Sequence, residues 1–220
     1  MAWMRTFRSV IETLLDTVMP RKARDARTRM RTLSDISLEP VAHELLGERI
    51  TTVLQYRDDA TQDLIRSLKY DGSRHAAALA AQALADYLRE ELANVKALSA
   101  REILLVPVPL HRARKRERGY NQIELVLKAL PSDFRDGTLS RLAPEALART
   151  RATEPQTKLR RSERLKNVVG AFSAQNEGAV RDAHIFLIDD VTTTGATLVN
   201  AAAPLQKSGA RVTLLALARA

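Results

Sequence analysis

The chain has 220 residues, a length that suits one sizeable α/β domain with an appendage rather than two large domains. It contains no cysteine, which excludes disulfides and thiolate zinc sites, and its 45% hydrophobic and 28% charged residues are typical of a folded protein. The net charge of +9 favours polyanionic partners, whereas the 4% aromatic content leaves little material for stacking the bases of a single strand.

The first predicted element is an amphipathic helix over residues 5–19, where apolar side chains recur at helical spacing until Pro20. Glu12 and Asp16 interrupt the apolar stretch, which argues against a signal peptide. The same two acids favour packing against a core or an interface, and a basic membrane-surface helix is the alternative. No run is long and apolar enough to span a membrane, so the cytoplasm is the expected location.

A run of basic residues follows this helix. Residues 21–31 carry six Arg or Lys side chains against Asp25 alone, which predicts a solvated connector or, alternatively, an arm that binds nucleic acid. Residues 1–50 are therefore predicted to be a mainly helical appendage with a basic connector. Residues 51–220 are predicted to form the main domain.

Strands alternate with helices along the rest of the chain, which is typical of a parallel α/β sheet. The strands are predicted at residues 51–56, 102–108, 145–151, 171–173, 184–188 and 211–217, and the helices at residues 59–69, 74–95, 121–130 and 195–208. Gly72 separates the first two helices, and Gly209 ends the last one.

The segment IFLIDDVTTTGATL, from Ile185 to Leu198, carries the strongest functional signal. Its apolar strand brings Asp189 and Asp190 to the carboxyl edge of the sheet, where ligands bind in open α/β folds. VTTTGAT then supplies hydroxyls, the flexible Gly195 and the first N–H groups of a helix, all of which favour an anion. Because carboxylates repel phosphate, the pair suits vicinal ribose hydroxyls, with or without magnesium.

The segment therefore predicts a site for a ribose phosphate. The alternative is a turn that begins at the two acids, followed by Thr194 as an ordinary helix cap. Neither the phosphate-binding G-x-x-x-x-G-K-[ST] loop nor a dinucleotide-binding G-x-G-x-x-G after a strand is present, which disfavours nucleotide hydrolysis and hydride transfer.

LIDDVTTTGATL resembles the phosphoribosyl pyrophosphate motif of type I phosphoribosyltransferases, in the version found in ComF-type proteins. Three more segments are similar to signatures of that family: TQDLIRSLKYDGSRHAAALA, LLVPVPLHRARKRERGYNQIE and RTRATEPQTKLRRSERLKNVVGAF. The resemblance covers about residues 50–220. It implies a parallel-sheet type I phosphoribosyltransferase fold, in which homodimers are common.

The resemblance also implies the roles of individual residues. Asp189 and Asp190 would hold the ribose hydroxyls and a magnesium ion (Mg²⁺). The loop around the 5-phosphate would consist of Val191, Thr192, Thr193, Thr194, Gly195, Ala196 and Thr197. The loop after LLVPVP would face the pyrophosphate with Arg112, Arg114, Lys115, Arg116, Arg118 and Tyr120. Arg118 and the two aspartates are the candidate catalytic residues, although without the family the basic run is equally a solvated cluster.

Residues 149–167 carry seven basic side chains against two acidic ones. This stretch is similar to the mobile loop that closes over the substrate in this fold, where closure would exclude water. An exposed, solvated loop is the alternative.

Two departures from the family limit what the resemblance implies. ComF-type proteins usually begin with the cysteines of a zinc ribbon, and residues 1–50 have none. Purine-salvage enzymes of the fold place an acid where this chain has Thr193, so the base that acts on a purine nitrogen is missing.

Two functions remain open on this evidence. The first is magnesium-dependent transfer of a phosphoribosyl group from phosphoribosyl pyrophosphate to an unidentified nitrogen nucleophile. The second, from a different class, is a non-catalytic or DNA-uptake factor that binds nucleotide or single-stranded DNA, as the competence role of ComF-type proteins suggests.

Overall fold

The computed structural model describes residues 26–151 and 170–220, where strands and helices alternate. The strands are β1 (Leu38–Leu45), β2 (Glu48–Leu54), β3 (Ile103–Pro107), β4 (Arg141–Leu142), β5 (Leu147–Arg149), β6 (Phe172–Ala174), β7 (His184–Thr192) and β8 (Arg211–Arg219). The α-helices are α1 (Asp59–Arg66), α2 (Arg74–Leu98), α3 (Arg112–Arg118), α4 (Gln122–Ala129), α5 (Glu177–Val180) and α6 (Ala196–Lys207). Ser67–Asp71 continues α1 as a short π-helix, and residues 26–29 are also helical.

The main sheet has six strands in the order β1-β2-β8-β7-β3-β4. The four adjacent pairs from β2 to β4 in this order are parallel, and the edge strand β1 pairs antiparallel with β2. β5 and β6 form a separate antiparallel ribbon. The predicted α/β class with a mostly parallel sheet is confirmed. Because these strands share a direction, their carboxyl ends meet at one edge.

Separate apolar cores cover the two faces of the sheet. In β3, Ile103 and Leu105 pack into the core that contains α1, α2 and α4, whereas Leu104 and Val106 pack into the core that contains α6. A strand covered on both faces needs an unbroken apolar sequence, which explains the ILLV run. The long helix α2 begins at Ser73, whose hydroxyl accepts a hydrogen bond from the Ala76 N–H.

β1 corrects the prediction for the N-terminal part of the chain. Residues 38–45 were expected in a mainly helical appendage, but they form an edge strand whose side chains are mostly exposed. The sequence LEPVAHEL hides this strand because it contains proline and two glutamates and lacks regular alternation. A tight turn at Leu46 and Gly47, both with positive φ, joins β1 to β2. The predicted helix over residues 5–19 lies outside the described residues.

The structure describes the predicted connector from residue 26 onward, and two of its residues contact the main domain. Thr28 is fully buried, and its hydroxyl oxygen lies 2.7 Å from the Ser67 hydroxyl oxygen. Arg31 Nη2 lies 3.7 Å from the buried Asp63 carboxylate. Thr28 and Arg31 therefore anchor this segment at the junction between α1 and the π-helix, whereas Arg27, Arg29 and Met30 are exposed to solvent.

Over residues 26–151 and 170–220, every helix is too short or too polar to cross a membrane.

Candidate functional site

The two aspartates lie near the carboxyl end of β7, which runs to Thr192 and so extends beyond its predicted end at residue 188. Asp189 Oδ1 accepts a hydrogen bond from the Asp190 N–H at 2.8 Å, and Asp190 Oδ1 accepts one from the Val191 N–H at 2.6 Å. The backbone therefore fixes one oxygen of each carboxylate at the sheet edge that the sequence predicted.

Lys69 is a residue of this site for which the sequence predicted no role. Its Nζ lies 3.1 Å from Asp190 Oδ2, and the Gln122 Nε2 donates to the same oxygen at 2.8 Å. Asp190 is only 6% exposed, so these two donors replace the water that its charge would otherwise need. The resemblance of the LKYDG segment to a family signature was the available signal, but it assigned no role to the lysine.

Asp189 has a different electrostatic environment. Burial, followed by repulsion from the Asp190 carboxylate, raises the pKa of Asp189 to about 7. The Asp190 N–H, Lys69 and Arg149 act in the opposite direction. The residue keeps partial contact with solvent, so a ligand can reach it. A ligand hydroxyl or a cation at Asp189 would favour its charged form.

The threonine loop from Thr192 to Gly195 joins β7 to α6. Thr192 is buried, whereas Thr193 and Thr194 are partly exposed. Thr194 Oγ1 accepts a hydrogen bond at 3.4 Å from the N–H of Ala196, the first residue of α6, and Gly195 is the N-cap residue of the helix. The first N–H groups of a helix have no hydrogen-bond acceptor within the helix, and the helix dipole favours an anion at this end.

Gly195 is required in this loop for two reasons. Its φ is +77°, in the left-handed region that favours glycine. A Cβ at this position would lie 2.8 Å from Ile50 Cδ1 and 2.8 Å from Leu45 Cβ. The β1–β2 hairpin therefore packs directly against the backbone of the loop.

The basic loop predicted after β3 is the helix α3. The His111 Nδ1 accepts a hydrogen bond from the Ala113 N–H at 3.3 Å at its start, and Gly119, with φ +82°, ends it. The Val108 N–H donates to the Ile188 carbonyl oxygen at 2.8 Å, so the chain enters α3 from beside β7. Apolar residues at helical spacing are the signal that predicts a helix, and the sequence RARKRER has none, so this helix was not predicted.

Arg118, the last residue of α3, is linked to the acidic pair through Gln122. Its Nη1 donates to Gln122 Oε1 at 3.1 Å, and the Nε2 of the same amide bonds Asp190. Arg118, Gln122 and Asp190 thus form a continuous chain of contacts.

The other basic residues of α3 divide between the site and the outer surface. Arg114 acts on Arg149, because its charge contributes to lowering the pKa of that guanidinium. Lys115 pairs with Glu124 at 3.8 Å, and Arg112 and Arg116 are exposed. The structure therefore does not bring Arg112, Lys115 and Arg116 into contact with the aspartates.

Tyr120 contacts the π-helix. Its hydroxyl donates to the Lys69 carbonyl oxygen at 3.2 Å. Gly72, with φ +58°, lies against the ring so closely that a Cβ there would be 2.8 Å from Tyr120 Cε1. The observed contacts brace the turn that carries Lys69, and the predicted contact of Tyr120 with a ligand stays a prediction.

Arg149 brings β5 to the site. Its guanidinium carbon lies 5.3 Å from the centre of the Phe172 ring. Burial and then Arg114 lower the pKa of Arg149, whereas Asp189 raises it. Arg149 therefore lies within electrostatic reach of the acidic pair. It begins the stretch over residues 149–167 that was predicted to close over the substrate, of which residues 152–167 lie outside the described residues.

The donor set allows a metal ion mainly at Asp189. In the described ranges, no three His, Cys, Asp or Glu side chains come together as a metal-binding group. The Asp190 carboxylate already has the Lys69 ammonium group at 3.1 Å. Magnesium often needs only one or two protein carboxylates when ligand phosphates and water complete its shell, and Asp189 fits that arrangement.

Known proteins of similar sequence identify the family. The DNA utilization protein YhgH of Escherichia coli (strain K12) is 33% identical over 164 residues, which are 74% of this chain and 68% of that protein. The chain belongs to the ComF family. Other ComF relatives are the competence protein ComFC of Streptococcus pneumoniae, 30% identical over 154 residues (70% of this chain, 60% of that protein), and the competence protein F of Haemophilus influenzae, 34% identical over 120 residues (53% and 50%). No family model matches the chain.

Proposed function

We propose that this ComF protein acts in the uptake or use of DNA and that its acidic pair and threonine loop bind a phosphorylated ribose. The names of the relatives, which refer to competence and DNA utilization, support the first part. The second part rests on one observation above all: Asp190 is held between Lys69 and Gln122, beside Asp189 and next to the N-terminus of α6.

The proposed ligand is phosphoribosyl pyrophosphate. The vicinal ribose hydroxyls donate to Asp189 and Asp190, because carboxylates accept hydrogen bonds and repel phosphate. The 5-phosphate lies against the N–H groups and hydroxyls of the loop from Val191 to Thr197. Arg118 faces the pyrophosphate. Asp189 would hold a magnesium ion, whose positive charge would offset the negative charge of the pyrophosphate.

The proposed fold is that of a type I phosphoribosyltransferase. The mostly parallel sheet, with an acidic pair and a threonine loop after β7, supports this proposal. The division into an appendage over residues 1–50 and a domain over 51–220 is also a proposal. Because β1 and β2 form one hairpin on the main sheet, the domain is better started near residue 38.

Calorimetry with phosphoribosyl pyrophosphate and magnesium tests the site. Asp190→Asn keeps the shape of the side chain but removes the charge that accepts the ribose hydroxyls, and we expect a loss of affinity of roughly tenfold or more. Asp86→Asn serves as the control, since Asp86 is an exposed acid on α2. Equal binding by the wild type and Asp190→Asn would overturn the proposed site.

The second candidate function is transfer of the phosphoribosyl group. The bond between the ribose carbon and pyrophosphate breaks, the nitrogen nucleophile donates its electron pair to form a bond to that carbon, pyrophosphate leaves with the electrons of the broken bond, and the nitrogen loses its proton to water. The position of Arg118 favours this function, because a fixed guanidinium stabilises the charge that develops on the departing oxygens, an effect worth about 3 kcal/mol per donor in comparable sites.

Turnover is tested by measuring pyrophosphate release in the presence of a panel of nucleobases and amines. Release that depends on one acceptor would establish transfer. Binding of phosphoribosyl pyrophosphate without release with any acceptor would support the non-catalytic function instead. Thr193, which stands where purine-salvage enzymes have an acid, makes hypoxanthine and guanine poor acceptors in this proposal.

A further inference from the structure

Gln122 connects the two ends of the candidate site through its own amide. Its Nε2 donates to Asp190 Oδ2 at 2.8 Å, and its Oε1 accepts from Arg118 Nη1 at 3.1 Å. A carboxylate only accepts hydrogen bonds and a guanidinium only donates them, so the amide satisfies both partners in a single orientation.

The surroundings of Gln122 hold that orientation in place. Gln122 is 5% exposed, so water does not readily replace a lost partner. It lies in the first turn of α4, which Asn121 caps by accepting from the Ile123 N–H at 2.9 Å. The Asn121 Nδ2 also donates to the Val108 carbonyl oxygen at 3.0 Å, which ties α4 to the end of β3. The backbone beneath Gln122 is therefore fixed to the sheet.

Arg118 gains a defined position from this contact. It is the last residue of α3, next to Gly119, and its side chain is partly exposed. A guanidinium has several N–H donors in one plane, so fixing one of them also directs the others. Without Gln122, the long side chain would adopt many rotamers, and a ligand would have to order it at an entropic cost.

We infer that Gln122 is a positioning residue, which holds Arg118 in register with Asp190 so that the site selects a ribose phosphate with a second anionic group next to the ribose hydroxyls. The inference rests on the proposed function and adds to it the origin of that selectivity. In this arrangement Asp190 binds the ribose hydroxyls, Gln122 fixes the Arg118 side chain relative to Asp190, and Arg118 binds the second anionic group.

The test compares phosphoribosyl pyrophosphate with ribose 5-phosphate, which lacks the second anionic group, by calorimetry in magnesium buffer. For Gln122→Met we expect the preference for phosphoribosyl pyrophosphate over ribose 5-phosphate to fall by roughly tenfold, about as much as for Arg118→Met. The double variant should lose little more than Arg118→Met alone, because both changes remove the same positioned group. Gln122→Asn, which keeps the amide but cannot span both partners, provides a second variant if Gln122→Met does not fold.

Gln62→Met is the matched control, because Gln62 accepts from Arg66 Nη2 at 3.2 Å in a similar amide–guanidinium pair on α1. It should leave the preference unchanged. The inference would be overturned, and the proposed function would stand, if a folded Gln122 variant kept its preference for phosphoribosyl pyrophosphate. The same holds if the loss of preference in the double variant were the product of the two single losses. If the wild type binds neither ligand, the proposed function fails, and the inference fails with it.

Discussion

Asp189, at the level of one residue, makes the stability of the fold depend on pH. Burial and Asp190 raise its pKa from 3.8 to about 7. A carboxyl whose pKa is raised by folding binds more protons in the folded than in the unfolded state between these pH values. Its stabilising contribution is therefore complete below about pH 4 and is lost as the pH rises through about 7.

We therefore expect Asp189→Asn to raise the free energy of unfolding at about pH 7.5 in the absence of ligand and metal, by roughly 2 to 4 kcal/mol. Near pH 4 the gain should disappear, since Asp189 is then protonated. Urea denaturation at the two pH values measures this, with the exposed Asp86→Asn as control. A gain of equal size at both pH values would contradict the assignment.

Lys69 is the second residue whose effect on stability follows from its contacts. Lys69→Met leaves the buried Asp190 carboxylate with one charged donor fewer, and we expect a loss of roughly 1 to 3 kcal/mol in the free energy of unfolding at neutral pH. Lys128→Met, which breaks an exposed pair with Glu124, should cost less than about 0.5 kcal/mol. Equal losses in thermal or chemical unfolding would argue against a special role for Lys69.

At this scale, local sequence indicated some residues of the candidate site and not others. Asp189, Asp190 and Gly195 follow directly from a strand, two acids and a glycine in succession. Lys69 and Gln122 do not, because their role depends on contacts between residues far apart in the chain, which no local pattern specifies.

At the level of secondary structure, the hairpin of β1 and β2 constrains the threonine loop by packing against Gly195. Gly195→Ala forces a side chain both into the left-handed region and into Leu45 and Ile50. Gly47→Ala, with φ +79° and nothing within 4 Å of the added Cβ, carries the conformational strain alone. We expect Gly47→Ala to cost about 1 kcal/mol, and Gly195→Ala to cost a further 1 to 3 kcal/mol, roughly the penalty of overpacking.

Thermal unfolding of the two glycine variants measures the difference. If both lose the same stability, the hairpin yields to the added methyl group, and its packing does not explain the glycine. If Gly195→Ala loses more, ligand binding should also weaken, because the N–H groups of the loop shift with the backbone.

The exposed residues of α3 provide the test of DNA binding. Arg112 and Arg116 are exposed to solvent, where they suit a phosphate backbone. We expect the double variant Arg112→Gln/Arg116→Gln to bind single-stranded DNA more weakly and to lower the slope of log affinity against log salt by about 1.4, or 0.7 per phosphate contact. Asp190→Asn should leave that slope unchanged.

Fluorescence anisotropy over a range of salt concentrations measures these slopes. Wild-type protein that shows no salt-sensitive binding at moderate ionic strength would rule out the DNA contact. The sequence predicted the charge of this region but not the helix, because RARKRER lacks the apolar spacing that reveals helices. β1 was missed for a related reason, since most of its side chains are exposed and show no alternation.

For the whole molecule, the sequence predicted the α/β class because buried parallel strands need continuous apolar runs, and EILLVPV, IFLI and RVTLLAL provide them. It did not predict the antiparallel edge or the contacts of Thr28 and Arg31, because both depend on pairings that become visible only when the chain is folded.

The three partners Lys69, Gln122 and Asp190 meet at one carboxylate oxygen although they come from remote parts of the gene product. No contiguous fragment that excludes one of these parts retains the arrangement. A protein cut between α4 and β7 would regain this three-residue contact only when both pieces reassociate, so two separately expressed fragments would report folding and binding of the proposed ligand in a single complementation measurement.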